Sequence, residues 1–593
     1  MLPRFIILLS LLLAAPGNSF ALEPPAAPDP AYAQMAESLS KFYEKEMAKH
    51  KVKGMAVAVV DGGKIVWAKG FGLADEARNI PMEPGTIVNL GSGAKLFTSL
   101  GAMALAGQGK LALDAPVSGM LPGLKLAGSG DPGVTARRIM THHAGFPANY
   151  LKGLQSKKQH PEPLTLDKLS DIHMAFAPGT VFSHSNLGTA VLGMMVEKAA
   201  GEPFSPWMDK AVFAPLGMAD TSYEAKPQWE GRMSVSYGNT GAYPPLGSNQ
   251  PQAVSLFTTA LDQARFLNVL FGADQGALPP GVTPKTLSDM MDPHNADIPL
   301  DMDMRVGLGW NLNRPAFGPA GTVAWNFGRS GGFRSLVMAA PGSKLGVVVL
   351  ANSSSAEEPR NCMLDRTAEE TLRQAMAAKG VPPAKPAAPS SCRFLPLDQV
   401  AGQYATIIGV VRVTVENGKP VVRLDGKNLD LDPCAEGVYG VKYQMLGITL
   451  YDVTKNQSGL KFSFDEAQGK TLLVLHQAGE RELFGVKVAP YELTPVWQAR
   501  LGKWVLDNQG EDLPLVKELS LRLEDGLILY ESRLPTIMDF KQCLPVMPLG
   551  ENSGKLAGMG SFSQAMGDEF YFDQTPDGER LHYAGYVFKK KQG

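Results

Sequence analysis

The sequence predicts an α+β unit at the front of the chain and two antiparallel β-barrel-like units behind it. Three observations predict this architecture. Within residues 22–380, strand-like segments stand at both ends of a helix-patterned stretch, as in a single sheet closed by its own termini. A Pro/Ala-rich segment at 381–394 then separates two textures of sequence. Beyond it, short alternating segments with turn signals recur at a period of 99 to 100 residues.

Length and composition set the frame. At 593 residues the chain exceeds what one hydrophobic core normally serves. Apolar residues make up 44% and charged residues 19%, with 63 Gly and 45 Pro, which describes a globular, turn-rich protein. A formal charge of -2 gives no general field for nucleic acid, so none is expected as a partner.

The first 21 residues read as a signal peptide. Arg4 opens them, an apolar run follows from Phe5 to Ala15, and the small residues Ser19 and Ala21 have cleavage spacing. The expected location is therefore periplasmic or secreted, with no membrane span after removal of the leader. In that oxidising compartment Cys362, Cys392, Cys434 and Cys543 are able to pair in any of three connectivities, with Cys362–Cys392 favoured.

In the front unit, Met35 to His50 suits an amphipathic helix. Met55 to Val60, then Asp61-Gly62-Gly63-Lys64 and Ile65 to Gly72, reads as a hairpin. Gly346 to Asn352 is short, apolar and β-branched like a buried strand, and a last helix is expected around Thr367 to Ala378. Behind the linker, Val410 to Leu424 and Leu519 to Tyr530 alternate around Asn-Gly and Asp-Gly turns. Gly402-Gln403-Tyr404 recurs as Gly502-Lys503-Trp504, and Gly479-Glu480-Arg481 as Gly578-Glu579-Arg580. The two β units are therefore expected at 395–490 and 491–593.

One constellation carries chemistry. A serine becomes a nucleophile when a neighbour removes its proton, and a lysine three residues on along a helix shares its face. Ser92 and Lys95 meet that spacing, but so do Ser38 and Lys41, so context must separate them. Gly91 and Gly93 flank Ser92 and allow close backbone approach, and the following helix runs on to Gly109. Ser92 is thereby placed at the positive end of a helix.

The segments Gly54 to Gly72 and Asn89 to Val117 resemble the opening of the class C β-lactamase and DD-peptidase family, the penicillin-recognising serine hydrolases. Further resemblances follow in order at Thr135 to Pro147, Pro178 to Gly201, Thr258 to Leu270, Val306 to Trp310 and Gly331 to Ser354, so the likeness covers residues 35 to 375. It implies a central antiparallel sheet beside a helical region, with no cofactor and no metal. It assigns Ser92 as nucleophile and Lys95 as its activating partner. Where the family has Tyr-x-Asn, this chain has His184-Ser185-Asn186. An imidazole near pKa 6.5 can act as a base at neutral pH, so His184 is expected to share proton transfer, with activity rising through the imidazole pKa. Asn186 is expected to position substrate.

At the third landmark, which normally carries Lys or His, one residue and Gly, the ungapped register gives Asn326-Phe327-Gly328, because it keeps the distance to Gly332-Phe333-Arg334-Ser335. A short deletion would place Arg329-Ser330-Gly331 there instead. The ungapped register removes a charge that commonly receives a substrate carboxylate, unless Arg329 or Arg334 replaces it. The backbone amides of Ser92 and Arg329 are expected to hold an oxyanion.

Other tempting residues take blander readings. His142 and His143 resemble a family turn, His160 and His173 are isolated, and Thr259 with Asp262 makes a capping box.

The expected function is acyl transfer on an amide or ester. The two trailing β units resemble the D-aminopeptidase arrangement, in which the last barrel helps shape the site, and this points toward peptides containing D-residues. The alternative is a catalytically impaired relative that binds peptidoglycan-like peptides.

Overall fold

A computed structural model describes residues 25–591, apart from 127–132, 171, 273–277, 313–316, 318–320, 359–360, 383–394, 425–426, 436, 446–447, 453–460, 478–479, 535–539 and 560–564. The expected leader, and most of the expected linker with Cys392, lie outside the described residues.

The front unit is built on an eight-stranded antiparallel sheet. Its main strands are β1 (Gly54–Asp61), β2 (Lys64–Asp75), β3 (Ala324–Ser330), β4 (Phe333–Ala340) and β5 (Leu345–Ala351). The spatial order is Ile80–Pro81, β2, β1, β5, β4, β3, Asn311–Leu312, Arg305–Val306. The two ends of the unit meet where β1 pairs with β5, with Val57 opposite Val349. Ala56, Ala58 and Val60 face one core, while Met55, Val57 and Val59 face another. Successive strand residues point to opposite faces, so a strand covered on both sides reads as an unbroken apolar run.

Helices supply both covers. On one face, α1 (Ala33–His50) and the last helix of the unit, Met363–Ala378, are joined by Tyr43 Oη and Thr371 Oγ1 at 2.9 Å, and Tyr43 stacks on Phe71 of β2. On the other face lie α2 (Ala94–Gly107), α3 (Asn186–Ala200) and α4 (Ala260–Leu270). α2 is buried from Ala94 to Leu105, and a helix without a polar face is stable only inside such a core. Thr259 caps α4 by accepting from Asp262 N at 3.0 Å. The expected capping box is only half made, because the Asp262 carboxylate accepts from Asp220 N and Thr221 Oγ1 instead.

Behind the front unit, nine strands from Gly402–Thr406 to Glu480–Val488 form a curled antiparallel sheet, and eight strands from Gly502–Leu506 to Tyr586–Lys590 form a closed barrel. The repeat seen in the sequence has a physical basis. Tyr404 Oη donates to Val400 O at 2.7 Å and Trp504 Nε1 to Arg500 O at 3.1 Å, each ring fully buried and pinned to the short helix before its strand. The far ends differ. Glu480–Val488 closes directly on Gly402–Thr406, whereas Gly578–Tyr583 turns at Ala584-Gly585 and the next strand closes the barrel.

Cys362 is a free thiol among the described residues, and its favoured partner, Cys392, lies outside them. It sits half-buried at the start of Met363–Ala378, and burial pushes its pKa up and keeps it protonated.

Candidate active site

Ser92 lies in a tight turn, Gly91–Gly93, that leads straight into α2. Gly91 has φ +61°, and its N–H donates to Asn89 Oδ1 at 2.8 Å. A side chain here would put its Cβ 2.4 Å from Arg329 O and 2.6 Å from Arg329 N. Gly328 is equally constrained, since a Cβ would lie 1.8 Å from Leu90 O and 2.9 Å from Gly93 N. The two glycines let β3 press its backbone against the Ser92 turn. β3 pairs with its outer neighbour only at Trp325, so the edge beyond that residue is left to face the turn. The structure therefore brings the Arg329 backbone against the Ser92 turn, with Asn326-Phe327-Gly328 and Arg329-Ser330 on the same strand.

Lys95, one turn into α2, is buried with 5% exposure, and its Nζ donates to Ala253 O at 3.0 Å. Burial alone pushes its pKa down to about 7. Holding a lysine so costs the fold on the order of 4 kcal/mol at pH 7 relative to a solvated one. The decoy pair is the opposite case: Ser38 and Lys41 are exposed, and Glu37, 2.7 Å from Lys41, raises the Lys41 pKa. The same spacing thus gives a surface ion pair on α1 and a lysine able to be neutral on α2.

His184 and Asn186 stand at the start of α3, whose cap is Ser185 accepting from Gly188 N at 2.8 Å. His184 is half-exposed to the cavity, and burial, then Lys95, His142 and Arg329, hold its pKa well below the ordinary value. It is therefore neutral throughout the neutral range. The imidazole step therefore falls below the neutral range, and Lys95 is the site group held near pH 7. Asn186 Nδ2 donates to Asn149 Oδ1 at 2.7 Å.

The arginines are not open to a substrate carboxylate. Arg329 donates through Nε (2.6 Å) and Nη2 to Glu357, and Arg334 Nε lies 2.8 Å from the same carboxylate, off-line for a hydrogen bond. Asn326 Nδ2 donates to Gly309 O at 2.9 Å beneath the Ser92 turn, so this side chain secures the site from below.

Ser92, Lys95, His184, Asn186, Asn326 and Arg329 line one cavity of about 650 Å³. Gly328 sits behind that wall, against Leu90 and Gly93. Sequence reasoning missed Glu357, Asn149 and His142, which share the cavity. No motif signals Glu357 or Asn149, and His142 was set aside with its neighbour. His143 is the structural one of the two, fully buried with Nε2 2.7 Å from Asp301 Oδ2. His160 is exposed, and His173 pairs with Glu569 of the barrel at 3.0 Å. Among the described residues no group of His, Cys, Asp and Glu could hold a metal ion, and no helix is long and apolar enough to cross a membrane.

Both β units reach the site. Gln477 and Glu482 of the curled sheet and Leu515 of the barrel unit line the same cavity. The barrel unit holds the segment after Asn149: Leu151 N donates to Ala584 O at 2.9 Å, Gly153 N to Asp512 Oδ2 at 3.0 Å, and Leu513 N to Gln155 O at 2.9 Å.

A serine at a helix start, a buried lysine one turn on and an interlocked strand edge define a serine-hydrolase type of site on a penicillin-recognising α+β fold. The Beta-lactamase family model matches residues 39–371, more than half of the chain, and the chain belongs to that family of serine hydrolases. Esterase EstB of Burkholderia gladioli is 31% identical over 220 residues, covering 35% of this chain and 55% of EstB. Protein flp of Staphylococcus aureus (strain N315) is 22% identical over 334 residues, covering 55% of this chain and 64% of flp. The chain thus spans less than two thirds of either relative. Among solved structures, an octameric penicillin-binding protein homologue from Pyrococcus abyssi superposes with TM-score 0.51 at 23% identity, over 76% of this chain and 99% of that one. SurE superposes with TM-score 0.54 at 19% identity, over 77% of this chain and all of SurE. These two likenesses are of fold.

Proposed function

We propose that this chain is an exported serine hydrolase that works through an acyl-enzyme on Ser92. The observation that carries the reading is Lys95, a buried lysine one helical turn from Ser92 with a pKa held near 7. A base is most effective when its pKa lies near the working pH. Lys95 takes the Ser92 proton as Oγ adds to the substrate carbonyl, and the oxyanion forms against the Ser92 and Arg329 amides. The Lys95 ammonium then returns that proton to one ring nitrogen of His184 while the other ring nitrogen gives its own proton to the leaving oxygen or nitrogen, whose bond to carbon breaks; Lys95 and His184 both end neutral. Water then adds to the acyl-enzyme by the same route and releases the acid.

Neutral esters and amides are the substrates the site supports best, because Glu357 occupies Arg329 and Arg334, the two arginines at the strand beside Ser92. Similarity to an esterase agrees with this. Peptides with D-residues belong to the same proposal as amide substrates. The leader-like first 21 residues support export.

The test is the pH dependence of kcat/KM on a short-chain aryl ester. Below about pH 7 Lys95 is charged and cannot accept a proton; above it the lysine is neutral. Activity is expected to rise tenfold per pH unit up to about pH 7 and then level. A profile flat from pH 5 to 8 contradicts the assignment of Lys95.

A further inference from the structure

Two imidazoles stand in the cavity beside Ser92 and Lys95, those of His142 and His184. Their ring centroids are 4.8 Å apart with planes inclined by 39°. The His142 ring is fixed from other directions. Ser185 N donates to its Nδ1 at 3.2 Å, and the Phe182 ring meets it edge-on at 5.4 Å. Its backbone is fixed too, because Ser183 N donates to His142 O at 2.8 Å. Behind both rings Asp301 accepts from Phe182 N and pairs with His143, each at 2.7 Å, which ties the His142 turn to the His184 segment. His184 is held more locally: its side chain bonds to its own backbone, and the ring that packs against it among the described residues is that of His142.

His142 adopts φ +61°, a conformation that Gly or Asn would serve at least as well. The turn by itself does not call for an imidazole. We propose that His142 is a positioning residue for His184: its anchored ring is the wall against which the tilted His184 imidazole packs and is aimed for proton transfer at the Ser92 site. A base held by a third group is the general logic of nucleophile activation. Because Nδ1 accepts from Ser185 N–H, a neutral His142 carries its proton on Nε2. Burial, then Lys95 and His143, pushes its pKa down to about 3, so the wall stays uncharged. The charged or titratable groups that face the pair are Lys95, Arg329 and His143.

The inference rests on the proposed reaction but is tested apart from it. His142→Asn keeps a residue suited to positive φ, with an oxygen to accept the Ser185 N–H, and removes only the ring. His142→Phe keeps a ring and disturbs the turn. In His142→Asn the melting temperature and KM are expected to hold while kcat falls about tenfold to a hundredfold, the loss typical of a misaimed group. In His142→Phe the melting temperature is expected to drop, yet kcat exceeds that of His142→Asn. NMR of ring-labelled histidine reads the same device without turnover. With the wall removed, water reaches His184, and its titration midpoint moves up toward 6.5. An unchanged kcat and His184 midpoint in His142→Asn, or a kcat lower in His142→Phe than in His142→Asn, overturns the proposal. If the native protein proves inert while the His184 midpoint still moves, the proposed reaction fails and the positioning contact stands.

Discussion

Ser92→Ala lowers ester hydrolysis by about five to six orders of magnitude, the loss expected when a nucleophilic serine that works as one unit with its base is removed. The melting temperature should hardly move. Ser92 is half-exposed to the cavity, its Oγ has no hydrogen bond among the described residues, and alanine suits the start of α2. Ser38→Ala, which removes the exposed decoy, should leave activity unchanged. Turnover surviving in Ser92→Ala would move the nucleophile elsewhere.

His184→Gln lowers kcat by about two to four orders of magnitude, the usual range for a positioned acid–base group. The loss should be the same at pH 7 and pH 9, because His184 is already neutral at both and its proton affinity is not what changes. His184→Tyr restores the residue the family normally carries and should recover part of the rate. A His184→Gln enzyme within threefold of native would reduce His184 to a polar filler. Steady-state kinetics at the two pH values, with KM and kcat separated, decides between these outcomes.

The fold was legible wherever one local pattern served one face. The hairpins of the two β units announced themselves because alternation and Asn-Gly or Asp-Gly turns are short-range signals, and the repeat survived because Tyr404 and Trp504 do the same anchoring work. The layers of the front unit were less visible. β1 and β5 are covered on both faces, which erases alternation, so their pairing rested on the position of two apolar runs at opposite ends of the unit. In the site, Ser92 and Lys95 share a helix and could be read together. Glu357 could not, because its role is set by Arg329 and Arg334, which converge on it only through the sheet and the loop after β5. His142 was hidden differently. Two adjacent histidines occupy one turn, and only the backbone conformation decides that His143 turns into the core toward Asp301 while His142 faces the cavity.

The central claim is a covalent acyl group on Ser92, and trapping it tests the account most directly. The purified protein is mixed with an aryl ester, quenched in acid within milliseconds to seconds, weighed intact and then mapped by peptide mass spectrometry. The account predicts a mass increase of one acyl group, confined to the peptide that contains Ser92 and absent from the Ser92→Ala protein. Hydrolysis with no adduct at Ser92, or an adduct on any other residue, would contradict it.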